Sequence, residues 1–418
     1  MIRRFTTKKD ILAGFAGAMN LISPEVENHH EKVAYLSYRL AEMMELPEKQ
    51  RQLAFLGGLM HDIGGILQRD GVSLLELERH AGEISGAGAM ILRGFSLTQP
   101  FSAVVEESQT PWRRLKAAAG GLKAPQRLGQ IVHLADVITL LLKDTEPVLN
   151  QLPCIREAIL GTGDREFNPE VLAAFDRLCG VEAAWLDVLY RPQLFLDMLT
   201  EDRAFSLEET VKLTAFMSRI IDFRSPFTAM HSAGVAAAAV SLAELSGMSE
   251  DECSMMRIAG YLHDIGKLKV PNELLEKPGK LTEPEFNVVK EHAYFTWLLL
   301  KDIRGFEQIA LWASQHHEKL SGGGYPFHLT RGELSLGSRI MAVADVFSAV
   351  AEDRPYRPGM SRERAAGVLR EDAERGLLSR PVVELLLENY EMIDRRRSRE
   401  SLAASRRYRE TLRGGRED

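Results

Sequence analysis

Cysteine is scarce: Cys154, Cys179 and Cys253 are the only 3 in 418 residues, and no two are close enough to form a CxxC pair. That excludes a disulfide framework and a zinc knuckle, and reads as reduced, mostly buried thiols of a cytosolic protein. No window approaches the ~18 uninterrupted apolar residues of a membrane span, so neither a membrane nor a location outside the cytoplasm is expected. Arg3, Arg4, Lys8 and Lys9 ahead of an apolar stretch at 11–22 have the outline of a secretory signal, but Asp10 and Asn20 flank or interrupt that stretch, and an amphipathic first helix is the expectation. Excess charge of one sign is also missing. The 52 Lys and Arg against 59 Asp and Glu leave a formal −7, so no nucleic-acid polymer is an expected partner. Strand-like alternation is nearly absent.

What is present is helix. The chain is rich in Ala, Leu, Glu, Met and Arg, with apolar residues at helical spacing, as in Ile258, Tyr261, Leu262 and Ile265. Gly64 and Gly266 read as helix stops, with Pro271 beyond the second, and Thr282 with Glu285 reads as a helix start. The fold class is all-α. The pattern also repeats. His29 and His61 stand 32 residues apart, as do His231 and His263, and Met-His-Asp-Ile-Gly (60–64) matches Leu-His-Asp-Ile-Gly (262–266). Asp136 aligns with Asp345. A period near 200 residues means duplicated domains, expected at 1–195 and 196–418, with a helical linker near Arg191 to Arg203. The tail 380–412 reads as one long helix, strongly basic at Arg395, Arg396, Arg397, Arg406 and Arg407, with a solvated face.

The adjacent pair His263-Asp264 carries the most chemistry. An imidazole and a carboxylate side by side at a helix end can reach one metal ion, and the second carboxylate oxygen can bridge to another. Further N and O donors follow at His292, His316, His317 and Asp345, with His231 upstream. Singly each histidine would be a core or surface residue; together, two in tandem and one beside an aspartate, they read as ligands.

The second half resembles the HD-GYP domains of the HD phosphohydrolase superfamily. The resemblance rests on His231-Ser232, His263-Asp264-Ile265-Gly266-Lys267, Val270-Pro271, His292, His316-His317-Glu318, Gly322 to Pro326, Arg339-Ile340, Ala344-Asp345 and Arg354 to Arg357, in the family's order. It implies metal-dependent hydrolysis of cyclic dinucleotides, chiefly cyclic di-GMP to pGpG and onward to GMP. The variants are a 3′,3′-cyclic GMP-AMP phosphodiesterase, or a weakly catalytic cyclic-dinucleotide sensor or scaffold. His231, His263 and Asp345 would hold one ion, His292, His316 and His317 the other, and Asp264 would bridge. Such a pair acidifies water and clamps the phosphate. The donor set favours Fe or Mn, with Ni or Zn compatible, over Mg or Ca. Asp264 and Lys267 are the expected catalytic residues, Lys267 as the cation for a phosphoryl oxygen. Substrate contacts are expected from Lys267, Gly324, Tyr325, Arg354 and Arg357, and Glu318 is expected to orient a ligating histidine. The sequence departs from the family at Ser321, Ala293, Thr296, Ser348 and Phe227; the last replaces a glutamate found in members with three metals, so two metals are expected. None of these changes removes a ligand of the two-metal set.

The first half resembles a plainer, eroded HD domain. His29, His61, Asp62 and Asp136 remain, enough for a single metal. Ile84 takes the third-histidine position, Ser108-Gln109 the tandem histidines and Gly65 the place of Lys267. A regulatory or dimerising domain is the expectation, with a mononuclear hydrolase or nucleotidase as the alternative. His30, His80 and His133 read as ordinary residues, and His328 as a loop residue. Expected partners are a cyclic dinucleotide, a diguanylate cyclase or other signalling protein, and a second copy of the chain in a homodimer.

Overall fold

The computed structural model describes the chain apart from residues 1–4, 23–27, 68–80, 117–120, 225–227, 278, 354–357 and 414–418. Among the described residues the fold is all-α, as the composition implied. The only strands there are β1 (Thr6–Thr7) and β2 (Ala204–Phe205), which pair antiparallel.

The chain forms two compact units. One contains Met1–Gly14 and Arg203–Glu410, the other Phe15–Asp202 and Thr411–Asp418. The division expected at 195–196 therefore moves to 202–203, and the first residues leave the first unit. The backbone explains it: Lys8 N–H donates to the Arg203 carbonyl at 2.8 Å and Phe5 N–H to that of Phe205 at 2.9 Å. Gly14 lies so close to Ile303 that an added Cβ would stand 2.5 Å from its Cδ1. A two-residue strand has no periodicity to betray it.

Each unit is built on the same five helices. In the first they are α1 (His29–Met43), α2 (Glu48–Met60), α3 (Ala81–Arg93), α4 (Gln99–Glu107) and α5 (Ala124–Leu141). In the second they are α6 (Thr228–Leu245), α7 (Glu250–Leu262), α8 (Glu283–Leu300), α9 (Glu307–Ser314) and α10 (Leu336–Ala351). The cores are aliphatic and aromatic: Leu36, Leu40, Phe55, Leu59 and Ile131 in the first, Leu242, Met256, Leu262, Ile309 and Phe347 in the second, all at 0% exposure. Each such side chain contributes about 1.5–3 kcal/mol when fully buried.

Two glycine contacts set the register in both units. Gly260 lets α7 approach α6 so closely that an added Cβ would lie 2.5 Å from Ala236 Cα; Gly58 makes the same approach to Ala34 Cα at 3.1 Å. Gly64 and Gly266 do not stop the preceding helices, which end at Met60 and Leu262, but lie in the 3-10 turns Ile63–Leu67 and Ile265–Lys269 that follow. A Cβ on Gly266 would stand 2.0 Å from the His292 carbonyl oxygen, and one on Gly64 1.9 Å from that of Ile84. Only glycine permits that seat, and the match confirms that Ile84 occupies the third-histidine position.

The capping pair at Thr282 is present: its hydroxyl accepts from Glu285 N–H, and the Glu285 carboxylate accepts from Thr282 N–H at 2.7 Å. The tail is not one helix but two, Arg380–Glu388 and Tyr390–Arg413. At Asn389 between them the side-chain amide donates to the Leu385 carbonyl, a local bond that competes with helix continuation. Its basic face is partly engaged, since Arg396 grips Glu244 with both guanidinium nitrogens and Arg397, 6% exposed, pairs with Asp394. Cys154 is exposed rather than buried, and all three cysteines are free.

Candidate metal centre

Five elements deliver the second-unit donors. His231 sits on α6. His263 caps the C-terminus of α7, where the chain leaves the helix and turns Asp264 inward. His292 lies on α8, His316 and His317 follow α9, and Asp345 lies on α10. One ligand atom from each of His231, His263 and Asp264 falls within 4.8 Å of the others, and the same holds for His292, His316 and His317. Asp264 stands between the groups, Oδ2 at 3.2 Å from His263 Nε2 and Oδ1 at 3.5 Å from His292 Nε2 and 3.9 Å from His316 Nε2. Asp345 Oδ1 closes the first group, 3.1 Å from His231 Nε2 and 3.9 Å from His263 Nε2.

The far ring nitrogens orient these imidazoles. Nδ1 of His263, His292 and His316 each meets the backbone carbonyl three residues back, at Gly260, Val289 and Ala313, within 2.6–2.9 Å. That contact fixes Nδ1 as the protonated nitrogen and points Nε2 into the cluster. His231 is held differently, its Nδ1 lying 3.2 Å from Glu352 Oε2. Glu352 is buried and was not singled out from the sequence. It stands just past the end of α10, in extended backbone, so no helical spacing marks it in the sequence.

Electrostatics prepare the donors. Burial pushes His292 down to about 4 and His316 to about 3, and holds His317 well below the usual range, so these rings are neutral at physiological pH. Burial would lower His231 too, but the Asp345 and Glu352 carboxylates outweigh it and push it up to about 9. Burial opposes ionisation of Asp264, yet His263 and Lys267 hold it well below the carboxylate range; His231 does the same for Asp345. His263 Nε2 and Asp264 Oδ1 are buried without hydrogen-bond partners. Buried polar atoms are ordinarily paired, so two orphans among converging donors fit a cation between them.

Lys267 reaches the centre, where its ammonium donates to Asp264 Oδ2 at 2.6 Å with the side chain 21% exposed. Glu318 does not orient a histidine. Its carboxylate accepts from Phe327 and Leu329 N–H at 2.7 and 3.0 Å and so clamps the Gly-Tyr-Pro loop. A Cβ on Gly324 would stand 2.4 Å from Glu318 Cα, which is why that loop needs glycine there. It sets Tyr325 against His317, ring centroids 4.8 Å apart. The exposed ring of Phe286 stands edge-on to Tyr325 at 6.1 Å. Thr296 also acquires a role: its hydroxyl donates to the His263 carbonyl at 2.9 Å and accepts from Gly266 N–H at 3.1 Å, tying the His-Asp turn to α8. His328 is an exposed loop residue with φ 56°. Arg354, Arg357, Phe227 and His80 lie outside the described residues.

The first unit gathers His29, His61, Asp62 and Asp136. Asp136 Oδ1 is 3.3 Å from His29 Nε2 and 3.5 Å from His61 Nε2; Asp62 Oδ2 is 3.2 Å from His61 Nε2. His30 joins them, against the expectation that it is an ordinary residue: its ring centroid is 5.6 Å from that of His61. His133 does behave as expected, paired with Glu166 at 3.3 Å. Where the second unit has His317, Gln109 donates to Asp136 Oδ2 at 3.0 Å. Ser108 bonds the Val105 carbonyl as His316 bonds that of Ala313.

Known proteins resemble this chain. Residues 26–141 and 215–378 each match the HD domain family. Over 390 residues, 90% of this chain and 90% of the relative, the chain is 30% identical to 3′3′-cGAMP-specific phosphodiesterase 1 of Vibrio cholerae. The chain belongs to the HD-superfamily cyclic dinucleotide phosphodiesterases of the HD-GYP type. It is also 32% identical to a cyclic di-GMP phosphodiesterase of Thermotoga maritima over 201 residues, 47% of this chain and 54% of that one. A crystal structure of a cyclic GMP-AMP specific phosphodiesterase of Vibrio cholerae shares the fold with a TM-score of 0.63 at 20% identity, covering 92% of this chain and 98% of that one. The second unit gathers five imidazoles and two carboxylates, the first three imidazoles and two carboxylates. Among the described residues no helix is long and apolar enough to cross a membrane.

Proposed function

We propose that the second unit hydrolyses a phosphodiester bond of a 3′,3′-cyclic dinucleotide at a two-metal centre. The observation that carries this reading is Asp264, whose two oxygens face different histidine groups. His231, His263 and Asp345 would hold one ion, His292, His316 and His317 the other, with Asp264 shared. When bound, the pair supplies Lewis acidity toward the phosphoryl oxygens and lowers the pKa of water. The five imidazoles suit Fe or Mn, with Ni or Zn compatible.

The chain's own residues do the rest. The neutral rings of His292, His316 and His317 offer lone pairs with no proton to displace, while Asp264 and Asp345 balance the cationic charge. The Lys267 ammonium, held by Asp264 at the solvent edge, is placed to meet a non-bridging phosphoryl oxygen. Phe286 and Tyr325 offer aromatic faces beside His317 on which a base can stack.

The likeness along 90% of both chains to a 3′3′-cGAMP-specific enzyme favours 3′,3′-cyclic GMP-AMP as substrate. Cyclic di-GMP, cut to pGpG and onward to GMP, is the second reading, supported by relatives named for it. The test is turnover of both dinucleotides and a generic diester by Fe(II)- or Mn(II)-loaded protein, with metal content measured on the same sample. Cleavage of a cyclic dinucleotide, abolished in His263→Ala and retained in His61→Ala, is expected. Tight binding without cleavage would replace the enzyme by a sensor.

A further inference from the structure

The second HD-domain match ends at residue 378. Beyond it, the terminal helix Tyr390–Arg413 packs on the two helices that deliver His231 and Asp345. On α6 the contact falls one turn after His231: a Cβ on Gly234 would stand 2.6 Å from Ser401 Oγ and 3.3 Å from Arg397 Cγ. Further along α6, Arg396 donates to Ser241 Oγ at 3.3 Å and to the Glu244 carboxylate at 2.5 and 3.1 Å. On α10 the contact falls at Phe347, two residues after Asp345. The Tyr390 ring stands edge-on to that ring at 5.4 Å, and the Arg397 guanidinium lies over it at 5.8 Å.

Arg397 joins the two contacts. It is buried, and a guanidinium leaves water at a tolerable cost only where its donors are met. Nε and Nη2 donate to Asp394 Oδ1 at 2.9 and 2.7 Å. Nη2 also donates to the carbonyl of Ala351 at 3.4 Å. Ala351 is the last residue of α10, and a cation is favoured at a helix C-terminus. The next residue is Glu352, whose carboxylate stands behind His231. Its backbone is extended, with φ −89° and ψ 139°, so where its side chain points depends on what holds the helix end.

We propose that Arg397 is a positioning residue for the metal centre. By anchoring the end of α10 and the flank of α6 together, it keeps Glu352 on His231 Nδ1 and secures the ion that His231, His263 and Asp345 would hold. The inference rests on the two-ion reading above. The ion of His292, His316 and His317 draws on other helices and does not depend on Arg397.

The test is Mn(II) titration of the full chain, followed by electron paramagnetic resonance and read as the difference between parent and Arg397→Met, so that ions elsewhere in the chain cancel. Methionine keeps a long apolar stem and removes the planar fork of donors. The parent is expected to show the spin-coupled signal of a manganese pair. In Arg397→Met one ion of that pair is expected to bind at least about tenfold more weakly, the least that loss of a supporting partner costs. At a concentration that fills the parent, the variant then shows isolated Mn(II) in place of the pair. A merely structural role would weaken both ions together or neither, and either result would overturn the proposal. A parent that never shows the pair would instead sink the two-ion reading, and this inference with it. Should the variant fail to fold, hydrogen exchange on the parent decides. Coupling is reciprocal, so Mn(II) is expected to slow exchange across 393–404 by more than across the helix Arg362–Glu374. Equal slowing, or none, would overturn the proposal.

Discussion

At the scale of single residues, the centre depends on groups that touch no ligand pocket directly. Glu352 fixes His231 from behind, replacing the backbone carbonyl that serves the other rings. Glu352→Gln keeps the shape and removes the charge, so metal affinity of the second unit is expected to fall about 10–100-fold, measured by competition with a chromogenic chelator. Lys267→Met should behave differently. Turnover is expected to drop about a hundredfold through loss of transition-state charge stabilisation, seen as kcat on samples matched for metal content. The convergence of donor side chains is legible where adjacency and tandem placement mark it: His263 beside Asp264, His316 beside His317. Glu352 was not, since one glutamate after a helix carries no distinguishing pattern. His30 does not stand out in the sequence, because a second histidine at a helix start is ordinary until its neighbours in space are known, and the role of Glu318 is hidden because its partners are backbone amides that no sequence displays.

At the scale of elements, the seat of the His-Asp turn on the following helix is the critical joint. Thr296 ties that joint with two hydrogen bonds, and Gly266 makes it physically possible. Gly266→Ala would drive a methyl into the His292 carbonyl, which is main chain and cannot swing aside. The expected destabilisation is about 3 kcal/mol, the upper range for overpacking, with metal binding lost in parallel; urea denaturation of parent and variant checks it. That the two halves repeat one helical pattern can be read in advance, because the 32-residue interval and the His-Asp pair recur in both. The break at Asn389 could not, since the tail has strong helix formers on both sides and the interruption is a local side-chain bond. Nor could the pairing of Thr6–Thr7 with Ala204–Phe205, which joins residues nearly 200 positions apart.

At the scale of the molecule, the chain is two units with separate cores and unequal donor sets. Ion binding should therefore stabilise each unit on its own account. Mn(II) at 100 times its dissociation constant is expected to stabilise the second unit by about 2.7 kcal/mol. Scanning calorimetry should show one transition moving up with Mn(II) and back with chelator, and no such movement of that transition in His263→Ala. An unmoved transition in the parent would argue against metal binding by that unit.

The glycine seat has a longer reach than stability. Because a main-chain contact seats the His-Asp turn in both units, the seat is the same whether the residue above it is His292 or Ile84. After duplication, one copy could thus trade away its reactivity piece by piece while remaining a sound domain, leaving selection free to give it another task.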